Sequence, residues 1–263
     1  MSKKERLDII LVERKFFESR ERAKRIIMEG KVLVDEKKIE KAGTLIKRDS
    51  EIKVLGEEMP YVSRGGLKLK KAIDEFQIEI KGKICVDIGA STGGFTDCML
   101  QHEAKKIYAI DVGYGQLAWK LRNNEKVINM ERTNIREVKP EQIEAADFIA
   151  IDASFISLEK ILPIAKKIMK EEGEIVALIK PQFEAGREKV GKGGIVREEK
   201  THIEVIEKII RKATEEGLKI RNLTNSPIKG AKGNIEYLIE LRKTGESREI
   251  EVKEIVRESH ENK

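Results

Sequence analysis

Residues 84–96 read Ile84-Cys85-Val86-Asp87-Ile88-Gly89-Ala90-Ser91-Thr92-Gly93-Gly94-Phe95-Thr96. A mostly apolar, strand-like run leads into a turn that carries Gly89, Gly93 and Gly94. Glycines at the end of a strand let the backbone approach a ligand closely. The turn differs from the dinucleotide-binding pattern G-x-G-x-x-G because Ser91 holds the second glycine position. This stretch therefore predicts an α/β domain with a ligand site that is not a typical dinucleotide site.

Six further strand-like runs follow this turn and alternate with helical patterns. The seven runs cover residues 84–88, 106–111, 126–130, 147–152, 174–180, 218–224 and 236–241. Continuous apolar strands separated by helices indicate a parallel sheet that is buried on both faces. Only a loop, residues 226–234, precedes the last run, so an antiparallel hairpin with the run before it fits. Seven strands that end in a hairpin resemble the Rossmann-like fold of class I methyltransferases.

The charge of the chain is concentrated at its N-terminus. The 263 residues carry a net charge of +6, and 38% of them are charged. Residues 1–55 hold 16 Lys/Arg against 11 Asp/Glu, a net +5, which leaves +1 for the rest of the chain. A basic segment beside a nearly neutral one indicates a polyanionic partner.

This basic segment has the pattern of a small α+β module. A first short helix begins near Leu7, Ser19 is a suitable N-cap for a second helix, and Gly30 a suitable stop. Short β segments are expected at residues 31–34, 37–39 and 51–55. The basic face of the second helix fits either a solvated surface or a phosphate-binding one, and its clustering at a helix start favours phosphate.

The run Ser19-Arg20-Glu21-Arg22-Ala23, followed by Gly30-Lys31-Val32-Leu33-Val34, resembles the S-four RNA-binding domain. In such domains this surface grips structured RNA mainly through phosphates. The resemblance implies RNA-binding roles for Arg6, Ser19, Arg20, Arg22, Lys24, Arg25 and Lys31, to which we add Arg64 from the following segment.

The D-x-G-x-x-x-G-G form of the glycine turn resembles a methyltransferase cofactor loop and implies S-adenosylmethionine as cofactor. Asp111, at the end of the second run, can accept both ribose hydroxyls, and Asn134 follows the third run, where it can read the adenine edge. The full predicted cofactor set is Asp87, Gly89, Ala90, Ser91, Gly93, Gly94, Phe95, Asp111, Val112, Asn134 and Asp152.

Four charged residues are candidates for the chemistry: Lys68, Asp152, Lys180 and Glu236. Asp152 and Lys180 end strands at the edge where open α/β sheets place ligands. Taken singly, each of the four also fits a surface salt bridge. Together they resemble the K-D-K-E tetrad of FtsJ-type ribose 2′-O-methyltransferases.

The whole chain, from Arg6-Leu7-Asp8 to Gly233-Asn234-Ile235-Glu236-Tyr237, resembles the TlyA family. The resemblance implies 2′-O-methylation of cytidines in 16S and/or 23S ribosomal RNA, with ribosomal RNA or ribosomal subunits as partners. Lys180 then acts as general base or as stabiliser of the alkoxide, and Lys68 supplies a like charge beside it. Asp152 orients Lys180, and Glu236 holds Lys68 or the ribose.

We predict four segments: an S-four-like domain over 1–55, a linker over 56–61, an FtsJ-like domain over 62–243 and a charged tail over 244–263. The tail fits either a charged helix or a frayed end. With no long apolar run and no signal-peptide pattern, we expect a cytoplasmic protein that does not engage membranes.

Cys85 and Cys98 lack metal-ligand spacing and sit in apolar surroundings, so we expect inert core thiols and no metal requirement. Relatives labelled haemolysins raise the alternative of a membrane-lytic protein. A catalytically inactive RNA-binding protein is a second alternative.

Overall fold

The computed structural model describes residues 4–17, 19–55 and 59–261. The chain divides into two compact units, Met1–Glu58 and Met59–Lys263. Of the predicted linker 56–61, residues 56–58 lie outside the described residues.

The first unit combines two helices with short strands. Its elements are β1 (Lys4–Arg6), α1 (Leu7–Glu13), α2 (Arg20–Met28), β2 (Val32–Val34), β3 (Lys37–Ile39), β4 (Leu45–Lys47) and β5 (Ile52–Val54). Antiparallel pairing gives the order β3-β2-β5 in one sheet and β1-β4 in the other. The two predicted helices and three predicted strands are confirmed, whereas β1 and β4 were not predicted.

Apolar faces of α1 and α2 form the core of the first unit against β2. The helices contribute Leu7, Ile10, Leu11, Ala23 and Ile27, all at most 1% exposed. Ser19 caps α2 as predicted, since its hydroxyl accepts a hydrogen bond from the backbone N–H of Arg22 at 3.3 Å.

The second unit is built around a seven-stranded sheet. Its helices are α3 (Gly65–Phe76), α4 (Gly94–Gln101), α5 (Trp119–Arg122), α6 (Leu162–Ile168), α7 (Pro181–Glu184), α8 (Glu199–Glu215) and α9 (Val252–Glu261). Its strands are β6 (Ile84–Ile88), β7 (Lys106–Ile110), β8 (Val127–Met130), β9 (Ala146–Ile151), β10 (Met169–Ile179), β11 (Lys219–Asn225) and β12 (Tyr237–Arg242).

The strand order is β11-β12-β10-β9-β6-β7-β8. The pairs from β10 to β8 are parallel, and β12 lies antiparallel between β10 and β11. All seven predicted strands and the closing hairpin are confirmed. The class I methyltransferase architecture follows, with the carboxyl ends of the parallel strands at one edge.

Alternate residues along each strand enter two different cores, one on each face of the sheet. In β6, Cys85 packs in one core and Val86 in the other. Cys85 and Cys98 are both fully buried free thiols, and burial raises the pKa of each to about 12. The expectation that both cysteines are core thiols is therefore confirmed, and a raised thiol pKa is consistent with low reactivity.

The C-terminal segment corrects one reading of the predicted tail. Rather than fraying, residues Val252–Glu261 form α9, which packs on α8 and β11. Val256 is fully buried, and the Tyr237 hydroxyl lies 3.0 Å from Ser259 Oγ. The rings of His260 and His202 meet edge to face with centroids 4.8 Å apart. Because this segment has a high content of charged residues, the apolar face that packs against α8 and β11 could not be recognised in the sequence. Residues 262–263 lie outside the described residues.

We therefore expect Val256→Asp to lower the free energy of unfolding of the second unit by about 3 kcal/mol, because it buries an unpaired carboxylate. Lys253→Asp, at an exposed position of the same helix, is the control and should change it by about 0.5 kcal/mol or less. Urea denaturation followed by circular dichroism measures both. Equal stability of the two variants would mean that α9 is not docked.

Candidate active site

Two adjoining cavities open at the carboxyl edge of the parallel strands. The first has a volume of about 480 Å3 and the second of about 860 Å3. Their shared lining residues are Gly89, Ser91, Asp152, Ser154, Phe155 and Phe183. Both volumes fall in the range of small-molecule sites. Because the cavities share a wall, we refer to the pair as the groove.

All four residues of the predicted tetrad line the first cavity, where they form two ion pairs. Lys68 Nζ lies 2.7 Å from Glu236 Oε2, and Lys180 Nζ lies 2.5 Å from Asp152 Oδ1. Three of these residues are buried, with Lys68 8%, Lys180 7% and Glu236 2% exposed. Each buried charge is thus neutralised by one partner at the cavity wall.

Two residues that were not predicted complete these pairs. Gln182 donates from Nε2 to the second oxygen of Glu236 at 3.0 Å. Lys180 donates to Ser154 Oγ at 3.1 Å. Both lie within three residues of a predicted strand end, so proximity to the tetrad was the only sequence signal for them.

The glycine turn approaches the tetrad through its backbone. Gly89 has a φ of +87°, and a Cβ there would lie 2.7 Å from the carbonyl oxygen of Asp152. At Gly94, a Cβ would collide with Ser63 Oγ and lie 2.9 Å from the backbone nitrogen of Gly66. Glycine is therefore required where β6 meets β9 and where α3 meets α4.

Asp111 and Asn134 line the second cavity together with Val112. The Asp111 carboxylate accepts backbone N–H groups from Ser91 at 2.8 Å and from Gly113 at 2.7 Å. These bonds leave each oxygen further acceptor capacity. Asn134 Oδ1 is already occupied, since it accepts from the backbone N–H of Arg136 at 3.2 Å.

Comparison with known proteins agrees with this arrangement. The FtsJ-like methyltransferase family matches residues 61–243, and the S4 domain matches residues 5–52. The chain belongs to the FtsJ-like methyltransferase family. It also belongs with the TlyA proteins, being 40% identical to "16S/23S rRNA (cytidine-2'-O)-methyltransferase TlyA" of Mycobacterium tuberculosis over 92% of this chain and 91% of that one.

Other relatives extend over nearly the whole chain. YqxC of Bacillus subtilis is 51% identical over 98% of this chain and 95% of its own length. A solved Streptococcus thermophilus structure, which carries the hemolysin name, has a TM-score of 0.78 and 45% identity. It covers 99% of this chain and 97% of its own. The hemolysin name thus occurs on proteins with this same architecture.

Two predicted cofactor residues of this FtsJ-like methyltransferase, Asp87 and Gly93, line neither cavity. Asp87 is fully buried and accepts a hydrogen bond from Thr96 Oγ1 at 2.6 Å. Gly93 has a φ of +94°, and a Cβ there would collide with Leu121. The hydrogen bond of Asp87 links β6 to α4, and Gly93 permits a tight turn. Both residues therefore support the glycine turn without lining a cavity.

Glu184 is a further residue that sequence reasoning missed. Buried behind the groove, it accepts hydrogen bonds from Ser157 Oγ at 2.6 Å and from the backbone N–H of Leu158 at 2.8 Å. Burial raises the pKa of its carboxyl group. These bonds tie the segment after β10 to the segment after β9, and so fix the wall that carries Phe155.

Phe155 is 90% exposed at the wall shared by the two cavities. It adopts a φ of +62°, and its ring lies 4.9 Å from that of Phe183. A large apolar ring held open to solvent in a left-handed backbone conformation is costly, which indicates a functional position.

Among the predicted RNA-binding residues, Arg6 and Arg20 also hold the first unit together. Both guanidinium groups contact the buried Asp8, at 2.9 and 3.0 Å. The hydrogen bond from Arg6 is the main cause that lowers the pKa of Asp8 to about 2. Ser19 is used as the cap of α2, and Lys31 pairs with Glu29 at 2.8 Å.

The other predicted RNA-binding residues lie in two places. Arg22, Lys24 and Arg25 lie on α2, whereas Arg64 directly precedes α3 in the second unit and lines the first cavity. The prediction therefore combined residues of both units.

Among the described helices, none is long and apolar enough to cross a membrane. The described residues also hold no group of three or more His, Cys, Asp or Glu side chains suited to a metal ion.

The buried Asp87 generates a pH prediction. Burial raises its pKa from 3.8 to about 7, so the folded protein holds a proton that the unfolded chain releases above about pH 4. Its contribution to stability is therefore lost as pH rises from about 4 to about 7. Asp87→Asn removes this titration, and it should gain about 1 to 4 kcal/mol relative to the wild type across that window.

Urea denaturation of both proteins between pH 4 and 7.5 measures this difference. Taking the difference cancels the titration of His202, whose pKa is lowered to about 4 by burial. A constant difference between the two proteins would show that Asp87 is ionised in the fold.

Proposed function

We propose that this protein transfers a methyl group from S-adenosylmethionine to the ribose 2′-oxygen of cytidine in ribosomal RNA, of the small subunit, the large subunit or both. The observation that carries the proposal is the pair of lysine–carboxylate contacts, Lys68–Glu236 and Lys180–Asp152, at one cavity wall beside the glycine loop. The printed activity of the TlyA relative supports it. A cytoplasmic location goes with a ribosomal substrate.

The second cavity fits the cofactor. Gly89 leaves room for close approach of a ligand to the backbone, and Asp111 offers carboxylate oxygens at the end of β7. We assign the ribose to Asp111, the adenine edge to the neighbourhood of Asn134 and Val112, and the amino-acid end to Gly89, Ala90 and Ser91. Asp152 lines both cavities, whereas Ala90, Gly94 and Phe95 line the first, into which the amino-acid end would extend. In such a site, S-adenosylmethionine supplies an electrophilic methyl group on a sulfonium.

The residues of the first cavity would handle the acceptor oxygen. Methyl transfer forms a bond between the 2′-oxygen and the methyl carbon, breaks the sulfur–methyl bond and releases the hydroxyl proton. Lys180 pairs as the ammonium with Asp152, donates to Ser154 Oγ at 3.1 Å and lies 3.5 Å from the carbonyl oxygen of Asp152. We assign the donor at this long carbonyl contact to the oxygen that becomes the alkoxide, and the hydroxyl proton leaves to solvent.

Lys68 and Glu236 would position the ribose on the other side of the oxygen. Glu236 is held at both carboxylate oxygens, by Lys68 and by Gln182. Because Glu236 occupies one N–H of Lys68, the other donors remain for the ribose. A fixed pair of donors holds the oxygen in line for attack.

The acceptor is more consistent with a hydroxyl than with an amine. After β9 the chain reads Asp152-Ala153-Ser154-Phe155, with no proline-containing run that would present acceptors to an exocyclic amine. An amine attacks through its own lone pair, whereas a hydroxyl needs its negative charge neutralised. Two lysines at one cavity suit the hydroxyl.

RNA would be engaged by both the first unit and the rim of the groove. The net +5 of residues 1–55 and the S4 match support phosphate contacts there. Phe155 offers an exposed ring on which an unstacked base can lie. A membrane-lytic role has no feature of the described structure in its favour, and the complete tetrad argues against an inactive RNA-binding protein.

Lys180→Ala and Lys68→Met are expected to lower the turnover number at least about a hundredfold, because each removes a donor from the acceptor oxygen. Affinity for S-adenosylmethionine, measured by calorimetry, should change little. Lys70→Met on the same helix is the control and should keep its activity. Since Lys68→Met leaves Glu236 without its ion-pair partner, thermal melts must accompany the assay. A folded variant with normal turnover would remove that lysine from the mechanism.

The position of the methyl group tests the function itself. Ribosomal RNA methylated by the purified protein is digested to nucleosides and analysed by mass spectrometry. We expect the label on the ribose of cytidine. A label on the base would contradict the assignment of the tetrad, and absence of any label on whole subunits and on naked RNA would overturn the proposed function.

A further inference from the structure

Two glycine- and lysine-rich loops of the second unit are bonded to each other, and one of them lines the first cavity. The first, residues 186–198, contains a small hairpin closed by an antiparallel bridge between Gly191 and Ile195. The second, residues 226–234, connects β11 to β12. We call these two segments the clamp loops.

Asn234 joins the clamp loops to each other. Only 2% exposed, it accepts a hydrogen bond from the backbone N–H of Val196 at 3.1 Å. It also donates from Nδ2 to the carbonyl of Gly194 at 2.9 Å. His202 supports the same hairpin, with its Nε2 3.0 Å from the carbonyl of Val196. A buried side chain that bonds backbone groups on both sides holds the two loops at fixed spacing.

The clamp loops are also fixed relative to the tetrad. Ile228, Lys229 and Gly230 line the first cavity. The backbone of Gly230 lies so close to Glu236 that a Cβ would collide with its carboxylate. The N–H of Ser226 donates to the carbonyl of Glu236 at 2.8 Å, which closes the second loop. The second loop therefore forms one rim of the cavity that would hold the acceptor, and Asn234 attaches the hairpin of the first loop to it.

The exposed charge of the clamp loops is net positive, since the first loop carries Arg187, Lys189, Lys192 and Arg197 against Glu188 and Glu198. The second loop carries Lys229 and Lys232 and no acidic residue. Lys192 stands at the tip of the hairpin, and Lys232 Nζ lies 3.8 Å from where a Cβ of Gly194 would be. These three lysines are exposed and form no ion pair with any residue in the described ranges. Lys189, by contrast, is engaged with Glu204.

We infer that the clamp loops bind the phosphate backbone of the RNA strand that carries the target nucleotide, as a second RNA contact distinct from the S4 unit. The inference rests on the proposed function. Exposed, unpaired ammonium groups on a rigid rim fit phosphates, which position a strand without reading its sequence. A phosphate contact next to the cavity determines which nucleotide of the strand places its ribose in the cavity. A contact farther along the RNA constrains this position less.

The test is Lys192→Ala/Lys232→Ala in the full chain, which leaves Lys229 at the cavity intact. The KM for ribosomal subunits should rise about tenfold at low salt, since two phosphate contacts are lost. The slope of log affinity against log salt should become shallower by about 2. The turnover number at saturating RNA and the affinity for S-adenosylmethionine should stay unchanged.

The matched control is Lys105→Ala/Lys126→Ala, which removes the same charge just before β7 and β8, at the opposite edge of the sheet. Its KM and salt slope should equal those of the wild type. Equal KM values for the two double variants would overturn the inference, as would a KM effect of the clamp variant confined to protein-containing subunits and absent on naked RNA. Failure of the proposed function is distinguishable, because the wild type itself would then transfer no methyl group to RNA.

Discussion

Lysines withdrawn from solvent need negative partners, because an unpaired buried charge costs several kcal/mol. The carboxyl edge of the sheet meets this constraint twice, with Glu236 for Lys68 and Asp152 for Lys180. The four charged residues lie in or beside α3, β9, β10 and β12, which are distant in sequence. Both ion pairs therefore form only when these four elements have packed together. The same Asp152 also constrains the glycine turn after β6. Its carbonyl oxygen occupies the space that a side chain at position 89 would need. Charge pairing and close backbone approach together define the groove.

Much of this architecture could be read from the sequence. Seven apolar runs gave the strands, and the tetrad residues lay close together because parallel strands bring their carboxyl ends to one edge. Three-residue strands such as β1, with its charged sequence Lys4-Glu5-Arg6, offer no alternation long enough to recognise. The side of a strand on which Asp87 projects was also beyond motif reasoning, because a motif specifies residue types and not side-chain directions.

The polar contacts that support the wall of the groove could not be predicted from the sequence either. Glu184 and Gln182 look like ordinary loop residues in the sequence, and only the packing of the segment after β10 against neighbouring segments reveals their partners. The same holds for α9, whose apolar face is set among charged residues. Residues that bind each other across the fold give no local signal, whereas residues that bind a ligand at a strand end often do.

The position of β12 has a consequence for how the protein is made. This strand is last in the sheet by sequence but lies between β10 and β11, and Glu236 directly precedes it. The contact between Lys68 and Glu236 spans 168 residues. The sheet therefore cannot close between β10 and β11, and Lys68 cannot meet Glu236, until residues 236–242 are free to fold. Completion of the sheet and pairing of Lys68 thus depend on the same C-terminal segment.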